Sequence, residues 1–231
     1  MAEQLRFDLP FRPALGRGDF YISVANALAS RMVDSAQLWP GGKLVLVGPA
    51  GSGKTHLAHV WSTESGARIL AATDLPDADI PALAEGPVCV EDVSAIAGDA
   101  AAEEALFHLH NLVLAQGHRL LVTARTPPAQ WALHLPDLAS RMTGTQTARL
   151  EHPDDDLLAA VMAKLFADRQ IVPAPDVLPY LVRHMSRSFD MARQLVTELD
   201  KEALGRPRGV SRNLARTVLI GIEEKIADSG K

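Results

Sequence analysis

The amino-acid sequence predicts an α/β fold, a parallel five-stranded sheet covered by helices, followed by a small all-α domain. Three observations carry this. Short, almost wholly apolar runs alternate with helical patterns as far as residue 150, as in a parallel sheet buried on both faces. A glycine-rich octapeptide, Gly48-Pro49-Ala50-Gly51-Ser52-Gly53-Lys54-Thr55, joins the first of these runs to the helix behind it. After Pro153 strand signals stop and only helical periodicities follow.

Taken in order, an extended segment from Gln4 to Phe11 precedes Pro13 and the bend Gly16-Arg17-Gly18. A helix is expected over about 23–35, with Ala25, Leu28, Ala29 and Met32 on one stripe and Ser23 as its cap. Lys43–Val47 is the first strand, and a helix from about 54 to 64 follows the glycine-rich turn. Arg68–Ala71 is the second strand and 88–92 the third, ending in acids. A long helix covers about 100–116, because Ala105, Leu106, Leu109, Leu112 and Val113 recur at three- and four-residue spacing. Residues 119–124 and 147–150 are the fourth and fifth strands.

Beyond Pro153, Asp154 to Asp156 bring negative charge to the start of a helix carrying Leu157, Leu158, Val161, Leu165 and Phe166. The next helix carries Val177, Leu181 and Met185. A third carries Phe189, Ala192, Leu195, Val196 and Leu199, and the last carries Leu214, Val218 and Ile222 after a Ser211 cap. Pro173, Pro175 and Pro207 mark the breaks. The chain thus divides into an extended peptide at 1–12, an α/β domain at 13–152 and a helical domain at 153–231.

The 231 residues are 47% hydrophobic, enough for a proper core, and carry a formal net charge of −5. That balance offers no global field to nucleic acid, so direct DNA binding is not expected. Lys201, Arg206, Arg208, Arg212 and Arg216 form a local basic patch that reads as a solvated helical face. The single Cys89 sits in an apolar run and reads as a buried thiol. No apolar stretch approaches roughly 18 residues, and Met1-Ala2-Glu3-Gln4 lacks the start of a signal peptide, so a cytoplasmic protein without a membrane partner is expected. His108 and His110 stand roughly 200° apart on a helix and cannot share a metal. Trp39, Trp61 and Trp131 read as packing residues.

The octapeptide is G-x-x-x-x-G-K-T placed between a strand and a helix, the arrangement of a phosphate-binding loop. Its glycines let the backbone curl so that successive N–H groups point at phosphate oxygens. Lys54 adds a point charge, Thr55 offers a hydroxyl to Mg²⁺, and the helix N-terminus adds partial positive charge. With His56 directly behind it, this loop is the expected contact for a purine nucleoside di- or triphosphate. A second element must hold the metal and orient water, and acids at the end of a neighbouring strand do this. By position Glu91 would assist Mg²⁺ and Asp92 would be the base.

The order of parts resembles the AAA+ class of P-loop proteins, and within it the bacterial replication initiator DnaA. Asp19-Phe20 followed by Asn26-Ala27-Leu28-Ala29 is similar to that family's adenine-side box. The run from Arg119 to Pro128 is similar to its sensor 1 strand with trailing Pro-Pro. Leu138-Ala139-Ser140-Arg141-Met142 resembles its arginine-finger box, and Met191-Ala192-Arg193-Gln194-Leu195 its sensor 2 helix. The resemblance covers about residues 13 to 225. DnaA would continue into a helix-turn-helix domain, which is not expected in a sequence ending at Lys231. This layout resembles the DnaA-homologous regulators of the Hda (HdaA) type, in which a Gln-Leu peptide docks on the β sliding clamp. Gln4-Leu5-Arg6-Phe7-Asp8-Leu9 is similar to that peptide. Leu5, Phe7 and Leu9 would supply apolar anchors and Gln4 a hydrogen bond. Tucking of the same apolar side chains onto the core is the other reading.

The resemblance implies an AAA+ core with a helical lid, and ADP or ATP with Mg²⁺ as cofactors. Phe20 and Asn26 would sit at the adenine side, and Arg193 would reach the β- or γ-phosphate from the lid. Arg141 would complete ATP hydrolysis on DnaA across an interface, so the β sliding clamp and DnaA are the implied partners and regulatory inactivation of DnaA the implied function. Two departures stand out: Arg125 where the family's sensor 1 carries Asp or Asn, and Glu91 in the metal position. Both lead to the expectation of feeble intrinsic turnover, with nucleotide (ADP above all) as a conformational cofactor. An autonomous AAA+ ATPase such as a helicase or clamp loader, and a DNA-binding initiator relative, are the competing readings. The sequence leaves the resident nucleotide and homo-oligomerisation open.

Overall fold

The computed structural model describes residues 20–203 and 209–229. The peptide with Gln4, Leu5, Phe7 and Leu9, together with Asp19, Arg206 and Arg208, lies outside the described residues.

Five strands, β1 (Lys43–Val47), β2 (Arg68–Ala71), β3 (Val88–Glu91), β4 (Leu120–Ala124) and β5 (Thr147–Arg149), form one parallel sheet in the order β2-β3-β4-β1-β5. Parallel neighbours need crossover connections, and helices supply most of them. Alternate residues of each strand enter opposite layers. Leu44, Leu46 and Leu121 pack with Ala29 and Val33 of α1 (Ala27–Asp34) and Leu57 and Trp61 of α2 (Lys54–Ser65). On the other face Val45, Val47, Leu120 and Val122 meet Leu106 and Leu109 of α4 (Ala100–Ala115), which follows the short α3 (Ile80–Leu83). Leu138 and Met142 of α5 (Pro136–Thr143) close that layer. Both faces are buried, so β1 and β4 are apolar almost throughout. Cys89 is fully buried and burial pushes its thiol well up.

A third core belongs to the C-terminal helices α6 (Asp155–Asp168), α7 (Val177–His184), α8 (Phe189–Ala203) and α9 (Arg212–Ser229). Leu158, Met162, Leu181, Leu195, Leu199 and Val218 build it without help from the sheet. Asp154 caps α6, its carboxylate accepting the Leu157 N–H at 2.8 Å. Of the basic patch, Lys201 pairs with Glu198 at 2.8 Å and the Arg212 guanidinium lies 5.0 Å over the Tyr180 ring. No helix among the described residues is long and apolar enough to cross a membrane.

Several elements differ from expectation: β4 starts at Leu120 and β5 ends at Arg149, and three further departures have a physical cause. The first helix begins at Ala27 instead of 23, because Asn26 winds residues 21–26 into a turn: its amide donates to Tyr21 O at 2.8 Å and its oxygen accepts the Ser23 N–H at 2.9 Å. Ser23 therefore caps nothing helical, and its hydroxyl accepts the Ala25 N–H. The buried stripe accordingly rotates to Ala29, Ser30 and Val33, leaving Leu28 62% exposed. β3 ends at Glu91, since Asp92 turns into left-handed backbone at φ 54°. Helix α5, unread in the sequence, is only eight residues long and starts with Pro136, whose fixed φ suits a first turn.

Two buried polar side chains organise the α4 face. Glu103 is 1% exposed and accepts N–H groups from Gly98, His134 and Leu135 at 2.7–3.1 Å, tying α4 to the loop that launches α5. Burial works to raise its pKa, but the backbone donors outweigh it and hold the carboxyl below its usual range. His110 is 2% exposed, with Nδ1 3.1 Å from Asn111 Oδ1 and Nε2 3.0 Å from Lys43 Nζ. An ammonium on one side and an amide oxygen on the other assign the proton to Nδ1.

Burial, and then the charges of Lys43 and Arg141, lower the His110 pKa to about 4 against the opposing Asn111 hydrogen bond. Between its ordinary value of 6.5 and about 4, the unfolded chain therefore binds a proton that the folded chain refuses. Stability should fall by ~3 kcal/mol as pH drops through that window. His110→Gln should remove that part of the slope in urea titrations across the same range.

The two domains meet where the Phe189 N–H donates to Gly51 O at 2.9 Å. Gly51 has φ 68°, and a Cβ there would fall on Ser188 Oγ. Gly51→Ala should cost ~2 kcal/mol or more, through strain and overlap together. Gly66→Ala, at φ 73° with nothing within 4 Å, should cost only ~1 kcal/mol in the same urea titration.

Candidate functional site

The loop between β1 and α2 is anchored at its start, where Gly48 N–H donates to Ala124 O of β4 at 3.2 Å. Gly51 and Gly53 then adopt left-handed backbone, at φ 68° and 96°, which curls the chain into the first turn of α2. Lys54 is 7% exposed and its Nζ donates to the carbonyls of Gly48 and Pro49 at 2.8 and 2.9 Å. Burial lowers its pKa; Asp92 opposes this, Arg125 adds to it, and Asp190 and Glu91 oppose it in turn. Ser52 Oγ is buried in the same loop without a hydrogen-bond partner.

A cavity of ≈ 340 Å³ opens between this loop, the segment before α1 and the helical domain. Phe20 and Asn26 line it from the first side, and Gly51, Gly53, Lys54, Thr55 and His56 from the loop and α2. Arg193 enters from α8. Gly48, Pro49, Ala50 and Ser52 build the loop without joining the wall. The Phe20 ring meets His56 edge-on, with centroids 5.2 Å apart, and Asn26 shapes the wall through its two backbone hydrogen bonds.

Sequence reasoning missed part of the wall. Leu157, Val161 and Leu165 of α6 line the cavity with Phe189; Leu158, Met162 and Phe166 serve the helical core, which Leu165 also joins and against which Val161 and Phe189 pack. The available signal was the width of the α6 apolar arc, broader than one core contact needs. Tyr21, Lys164, Asp168 and Asp190 also line the cavity. Lys164 and Asp168 pair at 2.9 Å, and Arg193 Nη2 lies 2.6 Å from Asp190 Oδ1.

Glu91 ends β3 and Asp92 follows it beside the loop, close enough for their charges to act on Lys54. The Asp92 N–H donates to Thr123 Oγ1 at 3.1 Å, which couples the acidic turn to β4. Arg125, one residue past β4, is exposed, and its charge also reaches Lys54. Arg141 is not among the described residues lining the cavity. Its guanidinium lies 5.2 Å over the Phe107 ring, and its carbonyl accepts from Lys43 Nζ at 3.1 Å. Lys43 opens β1 and Gly48 follows its end, so roughly 16 Å of strand separates the Arg141 backbone contact from the loop.

This donor set fits an anion. Curled backbone, an ammonium and a lid guanidinium converge on one cavity whose far wall is apolar, as a base or similar ring requires. Among the described residues no group of three or more His, Cys, Asp or Glu could hold a metal by itself. The oxygen donors near the loop include the exposed Thr55 hydroxyl and the carboxylates of Glu91, Asp92 and Asp190.

No family model matches the chain. Among solved structures, it is similar to domain III of the Thermotoga maritima replication initiation protein DnaA, with a TM-score of 0.78 at 18% identity over 92% of this chain and 98% of that one. It is also similar to AMPPCP-bound DnaA from Aquifex aeolicus, with a TM-score of 0.71 at 16% identity over 94% and 71% of the two chains. The ADP-bound AAA domain of FIGL-1 is more distant, at a TM-score of 0.57 and 14% identity over 78% and 71%. The chain has a DnaA-like AAA+ fold, a parallel five-stranded sheet with a C-terminal helical lid.

Proposed function

We propose that this chain is an adenine-nucleotide-binding AAA+ regulator of replication initiation that docks on the β sliding clamp and promotes hydrolysis of DnaA-bound ATP. The observation that carries the reading is a division of cations. Lys54 and Arg193 face one cavity, while Arg141 stands outside it on Phe107. An arginine so placed serves a nucleotide on another molecule better than its own. AMPPCP in the similar DnaA structure supports an adenine nucleotide as the ligand.

The loop N–H groups and Lys54 hold the phosphates, and Phe20, Tyr21 and the α6 leucines enclose the base. Thr55 and Glu91 are the residues that would hold Mg²⁺, which would supply charge neutralisation at the phosphates. Asp92 is the candidate base. Arg125 presents no carboxylate or amide to orient an attacking water, which favours slow turnover in this chain's own site. Arg141 would supply the transition-state charge on DnaA, an effect worth ~10³ to 10⁵ in rate where fingers act in trans. Gln4, Leu5, Phe7 and Leu9 would anchor the chain on the clamp.

Lys54→Ala should abolish nucleotide binding in calorimetry. Arg141→Ala should bind nucleotide normally yet lose ~10³-fold or more of the stimulation of DnaA hydrolysis. Equal stimulation by Arg141→Ala and wild type overturns the trans role. Brisk phosphate release by the chain alone replaces it with an autonomous ATPase. Changing Gln4 and Leu5 to Ala should end capture on immobilised β clamp, and equal capture rules out the docking peptide.

A further inference from the structure

Two carboxylates stand in the wall of the phosphate cavity: Asp168, paired with Lys164 of its own helix, and Asp190, which neither nucleotide binding nor water activation explains. Asp190 sits in the first turn of α8, held on a rigid element. Ser188 Oγ accepts the Asp190 N–H at 3.1 Å, and the neighbouring Phe189 N–H is bonded to Gly51 O of the phosphate loop. One Asp190 oxygen, Oδ2, would stand 3.2 Å from a Cβ placed on Gly51, so the carboxylate lies directly against the loop. The other, Oδ1, is 2.6 Å from Arg193 Nη2. Both side chains line the same cavity as Lys54.

An acid in the first turn of a helix is ordinarily a mild stabiliser of that helix. Here the same helix end faces a cavity built for anions, and the acid cancels the positive end that would otherwise welcome them. It also occupies the lid guanidinium. A ligand with a longer phosphate chain has to displace Asp190 from Arg193 and bring further negative charge towards a fixed carboxylate. A shorter one is held by the loop and Lys54 and leaves the pair intact.

We propose that Asp190 is a specificity-determining residue of this site, holding Arg193 in reserve and disfavouring a terminal phosphate, so that the site takes a nucleoside diphosphate in preference to the triphosphate. The inference rests on reading the cavity as a nucleotide site. Phosphate number is then sensed on α8, the helix that carries the junction with the loop.

The test is calorimetry of the full chain with Mg-ADP and with Mg-AMPPCP. Asp190→Asn should raise the affinity for AMPPCP relative to ADP by roughly tenfold, the scale of one partly screened charge contact. Asp190→Glu, which keeps the charge, should leave the ratio near that of wild type. In an Arg193→Ala background the gain from Asp190→Asn should shrink, because the guanidinium it frees is gone. Asp190→Ser, which retains a capping side chain, replaces Asp190→Asn should that variant not fold. An unchanged ratio in a folded, nucleotide-binding neutral variant overturns the role of Asp190 alone. Absence of any nucleotide binding to wild type overturns the reading of the cavity, and this inference with it.

Discussion

One backbone–backbone hydrogen bond among the described residues, Phe189 N–H to Gly51 O at 2.9 Å, links the helical domain, with its own hydrophobic core, to the phosphate loop. It is possible only because Gly51 has no side chain and adopts a backbone conformation costly to any other residue. The glycines of the phosphate loop thus do two things. They curl the loop, and they let the first turn of α8 close over it. The cavity exists because these two surfaces meet edge to edge, with α6 forming the remaining wall.

Electrostatics inside that cavity are balanced, not simply positive. Lys54 is buried among its own loop carbonyls, and its ammonium is contested by Asp92, Asp190 and Glu91 on one side and Arg125 on the other. In a partly desolvated site such contacts are stronger than at the surface. The lid arginine already has a carboxylate partner in Asp190.

The opposite edge of the molecule is organised by different means. Glu103 gathers backbone N–H groups to hold the loop before α5, and Phe107 supports the Arg141 guanidinium. Lys43, at the head of β1, links the carbonyl of Arg141 to the buried His110. The sheet is the rigid body between this edge and the phosphate loop, and β1 runs from one to the other.

Much of this was legible in the linear chain. The apolar runs at 43–47, 88–92 and 119–124 announced buried parallel strands because both of their faces needed covering. The octapeptide announced its loop because only glycine tolerates the backbone required at Gly51 and Gly53. Helix periods after Pro153 announced a separate core. Local rules failed where a side chain was captured by distant or irregular backbone. Asn26 unwound the expected start of α1, and Asp92 left its strand for a turn bonded to Thr123. The second use of the α6 stripe, and the placement of the i,i+3 pair Asp190–Arg193 in the cavity wall, came only from tertiary structure. A hydrophobic period states that a face is buried, but not against what, and a charge in a sequence has no partner until folding places one beside it.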